Sequence, residues 1–353
     1  MKRICISFVA IALTLAICLH TNFEAIADDE ATDKIGYKTT TISVGHEYQI
    51  RCGVWYLTKE GGANVVYDFE TVKIEGRAIL NAKPKDSPRR YPIIICSHGY
   101  SGCPQSSKYL TEFLAGLGFV VIAPDHTDDL KACSLEDDFA RESRFTYKLI
   151  KNALRIRKEF TRGSYNPHSF NYRYREISAA IDWIVKEGED PSSPFYDIVD
   201  AERIGAVGHS MGAYSLMAAS GAIDIAYDSR IDAVVAMSGP GGKVFTSDAI
   251  NEIKIPTMLM YGENEGDSKE LGFEFQFDCL SPPKFILAIS GGNHMTFSEN
   301  AFRQKKKSGK KERHNLIARY VGAFFDYYVN GNEGAEEILK LQDPGLSKYN
   351  YKF

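Results

Sequence analysis

The sequence has little net charge and no regular spacing of metal-binding side chains. Its 353 residues include 42 Lys and Arg against 46 Asp and Glu, which gives a formal net charge of −4. Nucleic-acid-binding proteins usually concentrate positive charge, so this balance predicts no nucleic-acid partner. None of the 7 cysteines has the C-x-x-C spacing typical of zinc or dithiol redox sites. We therefore expect neither a metal site nor a cofactor.

Long apolar runs are also scarce, and the main one lies at the amino terminus. Residues 4–19 are almost wholly apolar, Lys2 and Arg3 precede them, and residues 25–27 read Ala-Ile-Ala. A basic start, an apolar run and a small-x-small triplet are typical of a secretory signal peptide. We therefore predict a signal peptide over residues 1–27, cleaved after about Ala27, and a secreted or periplasmic protein. A membrane anchor is the alternative, although the run is near the lower limit for a bilayer span.

The cysteine count bears on this prediction. Cleavage of the segment would remove Cys5 and Cys18 and leave five of the 7 cysteines. An odd number of cysteines in an exported protein implies at least one free thiol. Cys96 lies inside an apolar run, where a thiol packs as a small hydrophobic side chain. Cys103 and Cys133 are the candidates for a disulfide.

The rest of the chain alternates between strand-like and helix-like patterns. Hydrophobic residues make up 44% of the whole sequence, which is enough for a large core. Short alternating runs over residues 39–80 predict antiparallel strands at the amino-terminal edge of a sheet. Continuous apolar runs, which are typical of buried parallel strands, occur at residues 92–97, 119–123, 204–207, 231–238, 256–262 and 284–289. Helical spacing between them predicts a doubly wound, mostly parallel α/β sheet. Residues 28–353 are expected to form a single domain.

One long segment, residues 127–175, interrupts this alternation. It is charged and rich in aromatic residues. A structureless loop of this length would be unusual in a compact domain, so we expect a helical insertion with residues 140–157 as the best helix candidate. The insertion lies beyond the strand ends and could border an active site. The alternative is a solvated connection with no role in substrate binding.

A pentapeptide in the middle of the chain has the pattern of a catalytic nucleophile. Residues 208–212 read Gly-His-Ser-Met-Gly and stand between an apolar strand and a helical stretch of small residues. Strand, G-x-S-x-G and helix form a nucleophile elbow, a tight turn that exposes Ser210 at the edge of the sheet. The backbone N–H groups of Met211 and of Tyr100, which follows the first buried parallel strand, are the candidate oxyanion donors.

A nucleophilic serine also needs a base and an acid. In doubly wound hydrolases the order along the chain is serine, acid, histidine. His294 follows the last apolar run in a glycine-rich loop and is the predicted general base. Two acids remain open on the loop after residues 256–262. Glu265 has the usual spacing after Gly262 and is favoured, whereas Asp267 is the more usual residue type.

Taken together, these motifs resemble those of the α/β-hydrolases. They are Ser-His-Gly-Tyr-Ser-Gly at residues 97–102, the segment 118–126, the pentapeptide 208–212, and Gly-Asn-His at residues 292–294. Over about residues 91–297 the chain is similar to type II platelet-activating-factor acetylhydrolases, dienelactone-hydrolase-like proteins and cutinase-like polyester hydrolases. The resemblance implies an α/β-hydrolase that cleaves carboxylic esters through a Ser-His-acid triad and an acyl-enzyme intermediate.

We therefore predict a secreted serine esterase, lipase-like, acting on a small-molecule or lipid ester. A serine peptidase or amidase on the same fold is one alternative, and a non-catalytic binding protein is another. A basic run near the carboxyl end suggests weak contact with anionic surfaces, although such a run is more often a solvated loop. The run contains Lys305, Lys306, Lys307, Lys310 and Lys311.

Overall fold

A computed structural model describes residues 33–69, 72–136, 146–152, 170–240, 244–265, 272–299 and 309–353. The strands within these ranges are β1 (Lys34–Val44), β2 (Tyr48–Thr58), β3 (Asn64–Asp68), β4 (Lys73–Leu80), β5 (Tyr91–Ser97), β6 (Val120–Pro124), β7 (Val199–His209), β8 (Ala233–Met237), β9 (Thr257–Gly262), β10 (Lys284–Ile289) and β11 (Leu346–Lys352). The α-helices are α1 (Lys108–Gly116), α2 (Asn171–Glu189), α3 (Met211–Met217), α4 (Ser247–Asn251), α5 (Phe273–Cys279), α6 (Lys310–Tyr328) and α7 (Glu336–Lys340).

The strands form one sheet in the order β11-β10-β9-β8-β7-β5-β6-β2-β1-β4-β3. Its centre, from β6 across to β10, is parallel throughout. Every residue of β6, β8, β9 and β10 is buried. Burial on both faces explains why these strands are continuous apolar runs in the sequence. The doubly wound, mostly parallel α/β sheet predicted from the sequence is thus confirmed.

Helices cover both faces of the parallel strands. Ile94 of β5 belongs to one apolar cluster with Leu114 of α1 and Phe325 of α6. The preceding residue, Ile93, belongs to a second cluster with Ile177 of α2. Because successive strand residues point to opposite faces, α1 and α6 lie on one face of the sheet and α2 on the other.

The chain changes direction across the sheet at β5. This strand pairs with β6 on one side and with β7 on the other. Helix α1 connects β5 to β6 on one face, and α2 leads into β7 from the opposite face. Ligands of open α/β sheets bind in the crevice at such a switch point, beyond the carboxyl ends of the strands. The turns after β5 and β7, at residues 98–102 and 208–212, meet at this crevice.

The edges of the sheet differ from the sequence prediction in two respects. β1 pairs antiparallel with β2 as expected, but it pairs in parallel with β4 through Gly36 and Tyr37. The sequence analysis also missed β11, which pairs antiparallel with β10. This strand is mostly polar and partly exposed, so it carries no apolar run of the kind that marks the central strands.

Part of the predicted insertion lies within the described residues. Residues 146–152 are helical, inside the range 140–157 that was predicted as a helix. Helix α2 begins at Asn171 and therefore includes the last residues of the predicted insertion. A disulfide joins Cys103 to Cys133 and so ties the insertion to the segment between β5 and α1. Cys52 and Cys96 are buried free thiols. The predicted signal peptide lies outside the described residues.

Candidate active site

The predicted elbow is a sharp turn between β7 and α3. β7 ends at His209, Ser210 has φ 55° and ψ −116°, and α3 begins at Met211. A positive φ is uncommon for a residue with a side chain, and it is typical of a strained nucleophile elbow. The Ser210 N–H donates to the Met237 carbonyl at 2.8 Å, which holds the turn to the neighbouring strand β8. Ser210 is half-buried rather than enclosed.

The two glycines of the pentapeptide are required by backbone contacts. A Cβ atom on Gly212 would lie 2.0 Å from the carbonyl oxygen of Ser97. A Cβ atom on Gly208 would lie 2.5 Å from the carbonyl carbon of Gly212. Both distances are far below van der Waals contact, and the clashing atoms belong to the backbone, which cannot move aside. The glycines therefore allow α3 to pack directly against the ends of β5 and β7.

His294 lies beside the serine on a short 3-10 turn that follows β10. Its Nε2 atom is 3.0 Å from Ser210 Oγ, and its side chain is 45% exposed. The His294 carbonyl accepts a 2.7 Å hydrogen bond from His209 Nε2, which fixes this turn to the elbow. Burial lowers the pKa of His209 to about 3, so its ring is neutral and acts here as a donor. The sequence-predicted nucleophile and base are thus neighbours in space.

Glu265 is the carboxylate that lies next to this histidine. Its Oε2 atom is 3.5 Å from His294 Nδ1. Its Oε1 atom accepts the Gly262 N–H at 2.8 Å and the Ser238 hydroxyl. The residue is buried, with 4% of its surface exposed. The other candidate acid, Asp267, lies outside the described residues.

Ser238 is a contact of the acid that the sequence analysis did not identify. It directly follows β8 and has a φ of 53°, which turns its side chain toward the loop after β9. Because its hydroxyl and the Gly262 N–H both hold Glu265 Oε1, the other carboxylate oxygen remains free for His294. The only sequence signal was its position at the carboxyl end of a strand next to the predicted acid loop.

The turn after β5 lies against the elbow. A Cβ atom on Gly99 would be 3.3 Å from Ser210 Cβ and 3.3 Å from His209 Nδ1. The Gly102 N–H donates to the Gly99 carbonyl at 2.9 Å, which closes a tight turn with Tyr100 at its tip. The Tyr100 hydroxyl contacts Asp129 and accepts a 3.0 Å hydrogen bond from Asn152. The predicted oxyanion residue therefore has its backbone beside the serine and its side chain bound by the insertion.

A second serine, histidine and carboxylate lie in similar order beneath this turn. Ser97 Oγ is 2.8 Å from His126 Nε2, and His126 Nδ1 is 2.7 Å from Glu176 Oε2. His126 and Glu176 are fully buried, and Ser97 is only 1% exposed. No substrate could reach this serine. The set serves as a buried hydrogen-bond network that joins β5, β6 and α2.

The basic run near the carboxyl end lies partly within the described residues. Lys305, Lys306 and Lys307 lie outside the described residues. Lys310 pairs with Glu299 at 3.1 Å, and Lys311 is exposed. Among the residues that the structure covers, no group of three His, Cys, Asp or Glu side chains is arranged to hold a metal ion. No helix in the described ranges combines the length and apolarity needed to cross a membrane.

Three comparisons with known proteins found chains similar to this one. A family model described as PETase, PET hydrolase-like, matches residues 164–324. A platelet-activating factor acetylhydrolase from Cavia porcellus is 24% identical over 247 residues, which cover 64% of this chain and 52% of that protein. A solved structure of a ferulic acid esterase from Streptomyces cinnamoneus matches with a TM-score of 0.62 and 19% identity, over 90% of this chain and 96% of that one. The chain has an α/β-hydrolase fold.

The matches confirm the resemblance that the sequence motifs indicated. The family model and both relatives have names that describe hydrolases or esterases. The chain spans about half the length of the acetylhydrolase that it matches. At 19% identity the likeness to the esterase structure shows the fold alone.

Because histidines around the site are buried and neutral, we predict that the folded protein loses stability in acid. Burial, the largest cause, lowers the pKa of His314 to about 4 despite nearby Glu299. The unfolded state, with an ordinary histidine pKa of about 6.5, binds a proton that the folded state does not. The free energy of unfolding should therefore fall as pH decreases from about 6.5 to about 4. Each such histidine contributes a slope of up to about 1.4 kcal/mol per pH unit.

Urea denaturation between pH 7 and pH 4 measures this slope. His314→Gln should make it shallower by about one proton, because a glutamine side chain does not titrate. Its amide Nε2 can still donate to the Thr296 carbonyl, which His314 Nε2 contacts at 3.0 Å. The exposed His46 offers the matched control, and His46→Gln should leave the slope unchanged. An equal slope in wild type and His314→Gln would contradict the assignment of a buried neutral ring.

Proposed function

We propose that this α/β-hydrolase is a serine hydrolase that cleaves carboxylic esters through an acyl-enzyme intermediate. The observation that supports it most directly is the 3.0 Å contact between Ser210 Oγ and His294 Nε2 at an accessible position. A serine hydroxyl is hardly ionised at neutral pH, so it needs such a base within hydrogen-bond reach. The buried Ser97 has an equally short contact with a histidine but no access to substrate.

The reaction follows from the positions of the two side chains. Ser210 Oγ attacks the ester carbonyl while its proton passes to His294 Nε2. The tetrahedral intermediate collapses when His294 returns this proton to the leaving alcohol, which leaves an acyl group on Ser210. Water then repeats both steps, with His294 as its base, and releases the carboxylic acid.

Glu265 is proposed as the acid that orients His294. A carboxylate facing Nδ1 favours the tautomer with a proton on that atom, so Nε2 is left with the lone pair that accepts the serine proton. The 3.5 Å separation is longer than an optimal hydrogen bond, and such contacts commonly shorten when substrate binds. The Ser238 hydroxyl and the Gly262 N–H hold the carboxylate in place.

The backbone N–H groups of Met211 and Tyr100 are proposed to bind the oxyanion. Met211 is the first residue of α3, where N–H groups have no partner within the helix. Tyr100 is at the tip of the turn that packs against Ser210 through Gly99. Donors on both sides of the serine would stabilise the negative charge that develops on the carbonyl oxygen.

Substitution of the nucleophile provides the first test. Ser210→Ala should reduce kcat for p-nitrophenyl acetate by on the order of 10⁶, as loss of the nucleophile does in other triads. Ser97→Ala is the matched control, since Ser97 also contacts a histidine but is buried. It should retain most of the wild-type turnover. Substantial turnover in folded Ser210→Ala would exclude the proposed mechanism.

A second test decides between the two candidate acids. Glu265→Gln keeps the size of the side chain and removes its charge, so kcat should fall by about 10⁴, as for other triad acids. Asp267→Asn should change kcat by less than about tenfold. Both are measured with the same ester, and circular dichroism checks folding. A larger loss in Asp267→Asn would transfer the role to Asp267.

The substrate class follows from the relatives only in outline. The matched family model is described as PET hydrolase-like, and the two matched proteins are a platelet-activating factor acetylhydrolase and a ferulic acid esterase. We therefore propose carboxylic esters as the class. A panel of p-nitrophenyl esters of increasing chain length, together with a phospholipid, would define the acyl preference.

A further inference from the structure

A fully buried ion pair lies behind the turn that carries Tyr100. Arg173, in the first turn of α2, and Asp128, in the insertion, both have side chains that are 0% exposed. The guanidinium donates to Asp128 Oδ1 at 3.0 and 2.8 Å and to Oδ2 at 2.7 Å. The Tyr172 hydroxyl donates to Oδ1 at 2.8 Å. None of these side chains has a role in the mechanism proposed above.

The pair makes two further hydrogen bonds, and both go to the backbone of the turn. Arg173 Nη1 donates to the His98 carbonyl at 2.8 Å. Asp128 Oδ2 accepts the Ser101 N–H at 2.8 Å. These atoms belong to the peptide units on either side of the one that carries the Tyr100 N–H. The ion pair therefore fixes the turn from both sides of that N–H.

The peptide unit between them is fixed as well. Its oxygen, the Gly99 carbonyl, accepts the Gly102 N–H at 2.9 Å and lies 2.8 Å from His98 Nδ1. Ser101 has a φ of 63°, as the third residue of a type II turn requires. The C=O and N–H of a trans peptide unit point in opposite directions. Because the Gly99 carbonyl points into the turn, the Tyr100 N–H points away from it.

The charges of the pair are matched to this task. Burial, the largest single effect, acts to raise the pKa of Asp128, but the charge and hydrogen bonds of Arg173 together with His98 and His126 lower this pKa to about 2. Asp128 is thus a carboxylate at neutral pH and can accept from Ser101, Tyr172 and Arg173 together. Hydrogen bonds to an ionised acceptor are stronger than those between neutral groups. A turn held by such bonds is more rigid than one closed by its own backbone.

We propose that Arg173 and Asp128 are positioning residues that orient the Tyr100 N–H toward the oxyanion. This inference rests on the proposed function, because it assigns the pair to the oxyanion site of that same reaction. It also gives the insertion and the start of α2 a specific role, which is to carry the two charges that hold the turn after β5.

Arg173→Lys tests the proposal with the charge retained. A lysine has a single donor group and cannot contact both carboxylate oxygens and the His98 carbonyl in one plane. We expect kcat for p-nitrophenyl acetate to fall about 10- to 100-fold, because a small displacement of an oxyanion donor weakens only the transition state. KM should stay within about twofold. Asp128→Asn disturbs the same turn through Ser101 and should give a loss of the same kind.

A trifluoromethyl ketone supplies the readout that a merely structural role would not change. Ser210 Oγ adds to its carbonyl carbon, the serine proton passes to His294 Nε2, and the ketone oxygen becomes an anion that occupies the oxyanion site. Its inhibition constant should rise by the same factor as kcat/KM falls in each variant. The control is Arg230→Lys. Arg230 lies just before β8, at the amino ends of the parallel strands, and it pairs with Asp228 and with Asp182 of α2. This variant should keep wild-type kcat and ketone affinity.

The outcomes separate the inference from the function on which it rests. If the wild type is active and the folded Arg173→Lys and Asp128→Asn variants keep its kcat, the inference is overturned and the proposed function stands. A lower melting temperature of the two variants would not change that conclusion. A change in KM without a change in kcat would overturn it too. If wild type neither hydrolyses esters nor binds the ketone, the proposed function fails and the inference fails with it.

Discussion

The close approach of two strand ends is the constraint on which the site depends. A Cβ atom on Gly212 would lie 2.0 Å from the Ser97 carbonyl oxygen, so the elbow helix contacts the end of β5 with no space for a side chain. This contact brings the turn after β5 against the serine at the end of β7. The two strands are adjacent because the chain reverses its direction across the sheet between them. Topology and two glycines thereby place a serine and a backbone turn side by side.

Polar groups around this contact fall into an accessible set and a buried set. Ser210 and His294 reach solvent, whereas the network of Ser97, His126 and Glu176 does not. Exposure therefore distinguishes the two sets, even though their hydrogen-bond distances are alike. The buried set and the Arg173–Asp128 pair connect α2 and the insertion to the turn after β5. A buried hydrogen-bond network and a buried ion pair therefore lie behind the accessible groups.

The sequence predicted the structure where a local geometry requires a particular type of residue. The elbow requires glycines, and parallel strands buried on both faces require apolar runs, so the centre of the sheet and the position of Ser210 could be predicted. Strand β11 could not, because it is a polar edge strand with no such run. Arg173 and Asp128 are 45 positions apart, and both types are common, so only the folded chain brings them together. Ser238 was missed for the same reason, since its contact with Glu265 crosses between two strand ends.

The central claim is that Ser210 is the reactive serine of this α/β-hydrolase. The most direct measurement is reaction of the intact protein with a fluorophosphonate, followed by mapping of the modified peptide by mass spectrometry. We expect one adduct, on the half-buried Ser210, and none on the buried Ser97. A folded protein that takes up no reagent, or takes it up on a different serine, would contradict the account.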